Sequence, residues 1–167
     1  MNIAYRLYTQ MLMPLHIATI HGHTDAMQLL IDNGARVNAI TKCARKHTPL
    51  HRASWDGNID AVRLLINNGA DANITDACGS TPLHDAIDNG NLNIIQLLID
   101  NGADVNITDI NGITPLHDAV DDDNLDVIQL LIDKGANINA MDNYECTPLS
   151  YADKYTRQLL VDNGATP

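Results

Sequence analysis

The stretch TPLHDAIDNGNLNIIQLLIDNGADVN, residues 81–106, returns with few changes as TPLHDAVDDDNLDVIQLLIDKGANIN at residues 114–139. Versions of its opening motif also occur nearer both ends of the chain, at a spacing of 33 to 35 residues. The motif starts are Met13, Thr48, Thr81, Thr114 and Thr147. A fixed period of this length indicates stacked supersecondary units, none of which can bury its apolar face alone.

Each unit contains the residues expected of two short helices. Thr81 is a good helix N-cap and Pro82 suits the first helical position, while Gly90 can take the left-handed conformation that ends a helix. Asn91 can cap a second helix, whose nearly continuous apolar residues stop at Gly102. Because only about two residues join the two helices, they must run antiparallel. The residues that follow contain the Asp and Gly of a hairpin-like loop that reaches the next unit.

The recurring letters are TPLHxA, the glycine that closes the first helix, the LL of the second helix, and NGADVN, all at a 33-residue period. This pattern resembles the ankyrin repeat family over residues 13–167. The resemblance implies an all-α repeat solenoid of stacked antiparallel helix pairs with protruding β-hairpin-like loops. It also implies that the loop tips and the first helices line a concave surface, where partners usually bind.

The repeat spacing divides the chain into six segments. Two residues are added between Asn38 and Thr48, and four are missing from the last unit. At the N-terminus, Ile3, Leu7 and Met11 are four residues apart, which predicts a short helix that covers the first repeat. The predicted segments are an N-terminal cap (1–12), a first repeat with an extended loop (13–47), three further repeats (48–80, 81–113 and 114–146) and a truncated fifth repeat or C-terminal cap (147–167).

Three positions depart from the pattern of the other units. Asp123 stands where a glycine closes the other first helices, Glu145 replaces a loop glycine, and Ser150 replaces the histidine of TPLH. Aspartate tolerates left-handed backbone better than most residues other than glycine, so we expect Asp123 to cost little stability.

The formal charge of the chain, −11, is unevenly distributed. Residues 1–63 hold seven Lys and Arg against four Asp, whereas residues 64–133 hold thirteen Asp and no basic residue. A middle region without a positive charge repels phosphate backbones, so we do not expect nucleic acid as a partner.

Cysteine content and hydropathy favour an intracellular protein. The three cysteines are odd in number and lack the close spacing of a zinc site, which indicates free thiols in a reducing compartment. No run of eighteen apolar residues occurs and the first residues show no signal-peptide cleavage site. We therefore expect a cytoplasmic protein that does not enter a membrane. A composition rich in Asn, Ile and Asp points weakly to an AT-rich source such as an intracellular microbe or virus.

Four histidines recur with the period and raise the question of a metal site: His16, His51, His84 and His117. Helices in contact lie about 8–10 Å apart, whereas zinc holds its ligand nitrogens at about 2 Å, so these side chains cannot share one ion. The resemblance instead implies that each histidine ties the Thr-Pro turn to the neighbouring loop. No nucleophile elbow, P-loop or HExxH motif is present, so we predict no enzymatic activity, no metal and no cofactor.

A binding function is expected at positions that vary between repeats, since the recurring letters hold the stack together. The resemblance places two sets of these positions on the concave side, where they form a row of aspartates. This row, the acidic stripe, consists of Asp56, Asp85, Asp88, Asp118, Asp121 and Asp122. Stacked like charges repel unless they are solvated or meet a cationic partner, so the stripe is either a solvated face or a binding face.

Other side chains extend this candidate site. Positions equivalent to those of the stripe hold Ile20, His21, Trp55 and Asn89. Among them the tryptophan has the character of a binding hot spot, or else covers a neighbouring helix. The lengthened loop is either a positive contact or a tolerated surface insertion, and it carries Lys42, Arg45 and Lys46.

Three functions are compatible with these features. The first is a non-catalytic, monomeric protein-protein interaction module that binds a basic segment of a partner protein on its concave face and loop tips. The second is an interaction domain of a larger effector or enzyme. The third is a substrate, because the segments that end at Asn73 and Asn106 resemble ankyrin asparagines that asparagine hydroxylases modify.

Overall fold

The computed structural model describes residues 13–166, which form ten helices in five antiparallel pairs. The first helices of the pairs are α1 (Pro14–Ile20), α3 (Pro49–Trp55), α5 (Pro82–Asn89), α7 (Pro115–Asp121) and α9 (Pro148–Tyr151). The second helices are α2 (Thr24–Asp32), α4 (Ile59–Asn67), α6 (Leu92–Asp100), α8 (Leu125–Asp133) and α10 (Lys154–Asp162). No β-strand occurs within residues 13–166. The all-α repeat solenoid predicted from the sequence is confirmed.

The helix caps predicted from the sequence are present at α3, α5 and α6. Thr48 accepts a hydrogen bond from the amide of His51 at 3.3 Å, and a proline fills the first position of α3. Gly90 ends α5 with a φ of 71°. Asn91 caps α6 by accepting a hydrogen bond from the amide of Ile94 at 3.3 Å. Local capping therefore determines where the helices start, before contacts between repeats are considered.

Leucines from both helices of each pair form one core that runs through the stack. The leucines at the centre of this core are fully buried: Leu50, Leu65, Leu83, Leu98, Leu116 and Leu131. Because each pair covers the apolar face of its neighbour, stability depends on the interfaces between repeats as much as on the repeats themselves.

The first helices pack against one another more closely than the second helices do. A stack that is tighter on one side curves toward that side. The concave face is therefore formed by the first helices and by the loops that adjoin them.

Four loops join the helix pairs: loop 1 (33–47), loop 2 (68–80), loop 3 (101–113) and loop 4 (134–146). Asp109 closes loop 3, since its Oδ1 accepts a hydrogen bond from the amide of Asn111 at 2.7 Å. The amide of Ile110 donates to the carbonyl of Cys78 in loop 2 at 2.8 Å. Gly79 has a φ of 82°, and a Cβ there would lie 2.7 Å from the Ile110 nitrogen, so only glycine fits this approach. The loops are thus hairpin-like turns linked by single backbone hydrogen bonds.

Non-glycine residues with left-handed backbone occupy two kinds of position. Asp123 has a φ of 52°, and its Oδ1 accepts a hydrogen bond from Thr156 Oγ1 at 3.1 Å. The strain of about 1–2 kcal/mol is partly offset by this bond, which is worth about 1 kcal/mol. Glu145 and Lys46 take φ values of 63° and 54° at the loop position that Gly79 holds in loop 2.

The fifth pair is shorter than the others, because α9 contains only four residues. Asp153 starts α10 by accepting hydrogen bonds from the amides of Tyr155 and Thr156 at 2.8 and 2.7 Å. The capping helix predicted for residues 1–12 lies outside the described residues. The boundaries drawn between the repeats stay predictions.

Leu98→Ala is expected to lower the free energy of unfolding by about 2–5 kcal/mol, the usual range for a fully buried leucine. Its neighbour Leu97 is only partly buried, so Leu97→Ala should cost less. Thermal and denaturant melts of the two variants measure both effects. A Leu98→Ala variant as stable as the native chain would contradict a core shared between repeats.

Candidate binding surface

The concave face is lined by side chains at the ends of the first helices and by the loops beside them. Trp55, Asp88 and Asp121 lie at the ends of α3, α5 and α7, and all three are exposed. A cavity of about 440 Å³ lies between loop 1 and α3, and a smaller one of about 180 Å³ lies beside α7. These three exposed residues are among the positions that vary between repeats.

Recurring histidines hold the first helices to the loops behind this face. The Nδ1 atom of His51 accepts a hydrogen bond from the amide of Thr48 at 3.2 Å, and its Nε2 donates to the carbonyl of Ser80 at 3.0 Å. Burial lowers the pKa of His51 to about 4, so the ring is neutral at physiological pH. Equivalent Nε2 bonds to the next loop join His16 to His47 at 3.1 Å and His117 to Cys146 at 3.3 Å. These rings are structural ties, as the resemblance implies.

Other chemically reactive groups form no recognisable centre. Among residues 13–166, no three His, Cys, Asp or Glu side chains are arranged to hold a metal ion. Cys43, Cys78 and Cys146 are free thiols. Across the same residues, none of the helices combines the length and apolar character needed to cross a bilayer.

The acidic stripe is less open than the sequence suggests. Asp56 forms an ion pair with Arg52, in which Arg52 Nε lies 2.6 Å from Asp56 Oδ2. The negative charge of Asp56 is therefore already compensated within the chain. Asp85 is only 4% exposed, and its Oδ2 has no hydrogen-bond partner among the described residues. The expected position of Asp85 on an open face is corrected accordingly. The reason is its place on α5, which packs closely against α3.

Burial also changes the charge that the stripe carries. Loss of solvent, with the nearby charges of Asp76 and Asp88, raises the pKa of Asp85 to about 8. Burial raises the pKa of Asp118 to about 8 as well, with Asp88 the next largest cause. Both carboxyls are therefore mainly protonated at neutral pH, and the stripe bears fewer than six negative charges.

Three carboxylates of the stripe remain open to solvent at the ends of α5 and α7: Asp88, Asp121 and Asp122. Partial burial raises the pKa of Asp88, with the charge of Asp122 as the next cause. Partial burial, followed by the charge of Asp121, raises that of Asp122. In the described part of the chain no Lys, Arg or His pairs with these three groups. They form a compact negative patch whose members repel one another.

The polar and aromatic neighbours of the stripe differ in exposure. Trp55 is 44% exposed, and its carbonyl accepts a hydrogen bond from Asn89 Nδ2 at 3.1 Å. Asn89 therefore links α3 to α5 and also faces solvent. At the first repeat, Ile20 is half-buried, while His21 is exposed and stacks on His23 with 5.7 Å between ring centres.

Loop 1 places its two additional residues in its tip. The amide of Thr41 donates to the carbonyl of His47 at 2.9 Å, where the equivalent bond in loop 2 joins Asp76 to Ser80. The closing bond of loop 1 thus spans a longer tip than that of loop 2. The exposed basic residues of this tip are Lys42, Arg45 and Lys46.

An asparagine in each loop bonds its repeat to the next, a role that the sequence reasoning missed. Asn73 donates through Nδ2 to the carbonyl of Gly102 at 2.8 Å, and its Oδ1 accepts from the amide of Asp104 at 2.8 Å. Equivalent pairs of bonds are made by Asn38, Asn106 and Asn139. The recurrence of asparagine at the repeat spacing is the signal that indicates this role.

Comparison with known proteins agrees with this architecture. A family model described as ankyrin repeats (3 copies) matches the chain over residues 7–76, 52–142 and 83–167. The three matches overlap, so together they extend across all the helix pairs. No curated protein matches the chain.

The raised pKa of Asp85 predicts a stability that depends on pH. Between about pH 4 and 8 the folded chain keeps a proton that the unfolded chain has released, so the free energy of unfolding falls as pH rises through this window. Asp85→Asn removes the buried charge and should raise the free energy of unfolding at pH 8 by about 1–3 kcal/mol, with little change at pH 4. The groups that act on Asp85 are Asp76, Asp88, Arg45 and Arg52.

Urea melts at several pH values measure this effect. The control is Asp126→Asn on the exposed surface of α8, which should change stability by less than about 0.5 kcal/mol at each pH. If Asp85→Asn destabilised the chain equally at pH 4 and pH 8, the buried carboxyl would be a hydrogen-bonding group and not an ionising one.

Proposed function

We propose that this chain, which belongs to the ankyrin repeat family, is a non-catalytic module that binds a basic segment of another protein on its concave face. Ankyrin repeats are protein-interaction modules, and the concave face of the stack offers a surface of the required kind. One observation carries the proposal of a basic partner, namely the exposed negative patch at the ends of α5 and α7. Its members are Asp88, Asp121 and Asp122.

Electrostatic strain in this patch favours a cationic partner. Partial burial is the main cause of the raised pKa of Asp88 and of Asp122, and the charges of Asp122 and Asp121, respectively, add to it. Ionised Asp88 and Asp122 are therefore costly beside these neighbours. A lysine or arginine of a partner would remove that repulsion on binding. Charges that only keep a protein soluble work best when both signs are dispersed, whereas these carboxylates gather on one curved face.

The remaining candidate residues complete the proposed interface. Trp55 offers an exposed aromatic surface of the kind that often anchors a partner. The proposed interface also includes Ile20, His21, Asp56 and Asn89, at or next to the ends of the first helices, and Lys42, Arg45 and Lys46 in loop 1. Asp85 and Asp118 contribute from behind the face, through their effect on its charge.

We place this module, as a monomer, in a reducing intracellular compartment. The three free thiols support that placement. The Asn-rich and Ile-rich composition favours a module, or a domain of a larger effector or enzyme, from an intracellular microbe or virus. The sequence of the complete coding region distinguishes a module from a domain.

Charge reversal in the patch is the test of the proposed partner site. The double variant Asp88→Lys/Asp121→Lys should weaken binding by at least about tenfold and remove most of its dependence on salt, because attraction between unlike charges drives the encounter. Proteins captured from a cell lysate with the immobilised chain supply the ligands. Calorimetry with each ligand at about 0.01 M and 0.15 M ionic strength, where the Debye lengths are about 30 and 8 Å, measures the effect.

A matched control changes the same number of charges elsewhere. Asp32→Lys/Asp133→Lys alters the ends of α2 and α8, on the outer helices, where both aspartates are exposed. This variant should bind as the native chain does. Equal binding by the native chain and the Asp88→Lys/Asp121→Lys variant would leave the stripe as a solvated face only.

A second candidate function, as a substrate of an asparagine hydroxylase, is favoured by the position of two asparagines in surface loops. Asn106 is exposed and Asn73 is partly exposed. Each uses its amide group, and not its Cβ, to bond the next repeat. After incubation with such an enzyme, mass spectrometry should show a gain of one oxygen on these residues and none on the exposed Asn101. Unmodified Asn73 and Asn106 would remove this candidate.

A further inference from the structure

The cavity of about 440 Å³ between loop 1 and α3 is lined by two arginines, in contrast to the negative patch at the ends of α5 and α7. Its lining residues are Cys43, Ala44, Arg45, His47, Arg52 and Trp55. We propose that this cavity, the arginine pocket, binds a carboxylate side chain of the same partner segment whose basic residues meet the stripe. The inference rests on the proposed function and adds to it a second, anionic anchor point and hence a direction for the bound segment.

The arginines of the pocket have hydrogen-bonding capacity left for a ligand. Arg52 bonds Asp56 through Nε alone, and a guanidinium has four further N–H donors on its two Nη atoms. Arg45 makes no ion pair with any described residue. Two buried carboxyls, Asp76 and Asp85, lie near the pocket. Neither forms an ion pair with its arginines among the described residues. Two guanidinium groups at one cavity suit a carboxylate, which accepts parallel N–H bonds.

The remaining walls suit the stem of an acidic side chain. Trp55 is 44% exposed and provides a flat apolar wall. His47 is held in place, since its Nε2 lies 3.2 Å from Asp76 Oδ2 and its ring stacks on His51 with 5.4 Å between ring centres. A glutamate of the partner can lay its methylene groups against the indole ring while its carboxylate meets the guanidinium groups.

The position of the pocket along the stack determines the spacing of charges in the partner. The arginine pocket lies at α3, and the negative patch extends to the end of α7, two first helices further along. Adjacent packed helices are about 8–10 Å apart, so Asp88 on α5 is about 10 Å from the pocket, and Asp121 and Asp122 at α7 are about 20 Å from it. About six residues of extended chain cover that distance. A segment with acidic residues at one end and basic residues at the other would bind in one orientation.

Trp55 is the single tryptophan of the chain, so its fluorescence reports directly on the pocket. The probes are three peptides of about 12 residues with glycine–serine centres, whose ends lie on average about 20 Å apart. One carries two glutamates at one end and two lysines at the other, one carries lysines at both ends, and one carries glutamates at both ends. None contains tryptophan or tyrosine.

The mixed peptide should bind about tenfold more tightly than the peptide with lysines at both ends. Both peptides that contain glutamate should change the Trp55 fluorescence, and the lysine peptide should not. The double variant Arg45→Ala/Arg52→Ala should abolish the fluorescence change. It should also lower the affinity for the mixed peptide to the affinity for the peptide with lysines at both ends. The matched variant Arg36→Ala/Arg63→Ala removes two exposed charges outside the pocket and should leave both results unchanged.

The two proposals fail in different ways. If glutamate peptides leave Trp55 fluorescence unchanged, or change it equally in the Arg45→Ala/Arg52→Ala variant, the arginine pocket is overturned whatever the lysine peptide does. If the lysine peptide does not bind, as measured by calorimetry, the acidic stripe is overturned as a basic-segment site. A fluorescence change that glutamate peptides cause only when Arg45 and Arg52 are present supports the arginine pocket, whether or not the lysine peptide binds.

Discussion

The stack depends first on the hydrogen bond from a buried histidine to the next loop, which His16, His51 and His117 make and which His84 Nε2 does not make within the described residues. His51 illustrates it: Nδ1 accepts from the Thr48 cap of its own helix, while Nε2 donates to the carbonyl of Ser80, directly before the next cap. Burial keeps the ring neutral, so it can donate from one nitrogen and accept at the other. One side chain thereby links the start of a helix to the loop of the following repeat.

Close packing of the first helices has a consequence for the charges on this face. The repeat pattern places Asp85 on the open face, yet its side chain is buried on α5, which packs closely against α3. A carboxyl in that place is stable mainly in its neutral form, which lowers the charge of the face at neutral pH. The chain therefore carries a buried ionisable group, at a cost in stability, behind the surface where a partner is proposed to bind.

One position of the repeat carries a different kind of side chain in successive repeats. The residue after the recurring histidine position is Arg52 in the second repeat, Asp85 and Asp118 in the next two, and Tyr151 in the last. Stacking places these residues on successive first helices, about 8–10 Å apart. The guanidinium groups of the arginine pocket and the carboxylates of the negative patch thus lie at different points along the stack, which is the basis for a partner segment with unlike charges at its ends.

The sequence by itself determined the period, the helix starts at Thr48 and Asn91, the left-handed turn at Gly90 and the free cysteines. These features depend on residues within about four positions of one another, or on spacing alone, so they can be predicted without tertiary contacts. Only the tertiary structure decided that Asp85 is covered, that Asn73 joins two loops and that Arg45 and Arg52 share a cavity with Trp55. Such contacts join different repeats. Whether they form depends on how closely neighbouring helices and loops pack, and the repeated sequence motif does not determine that distance.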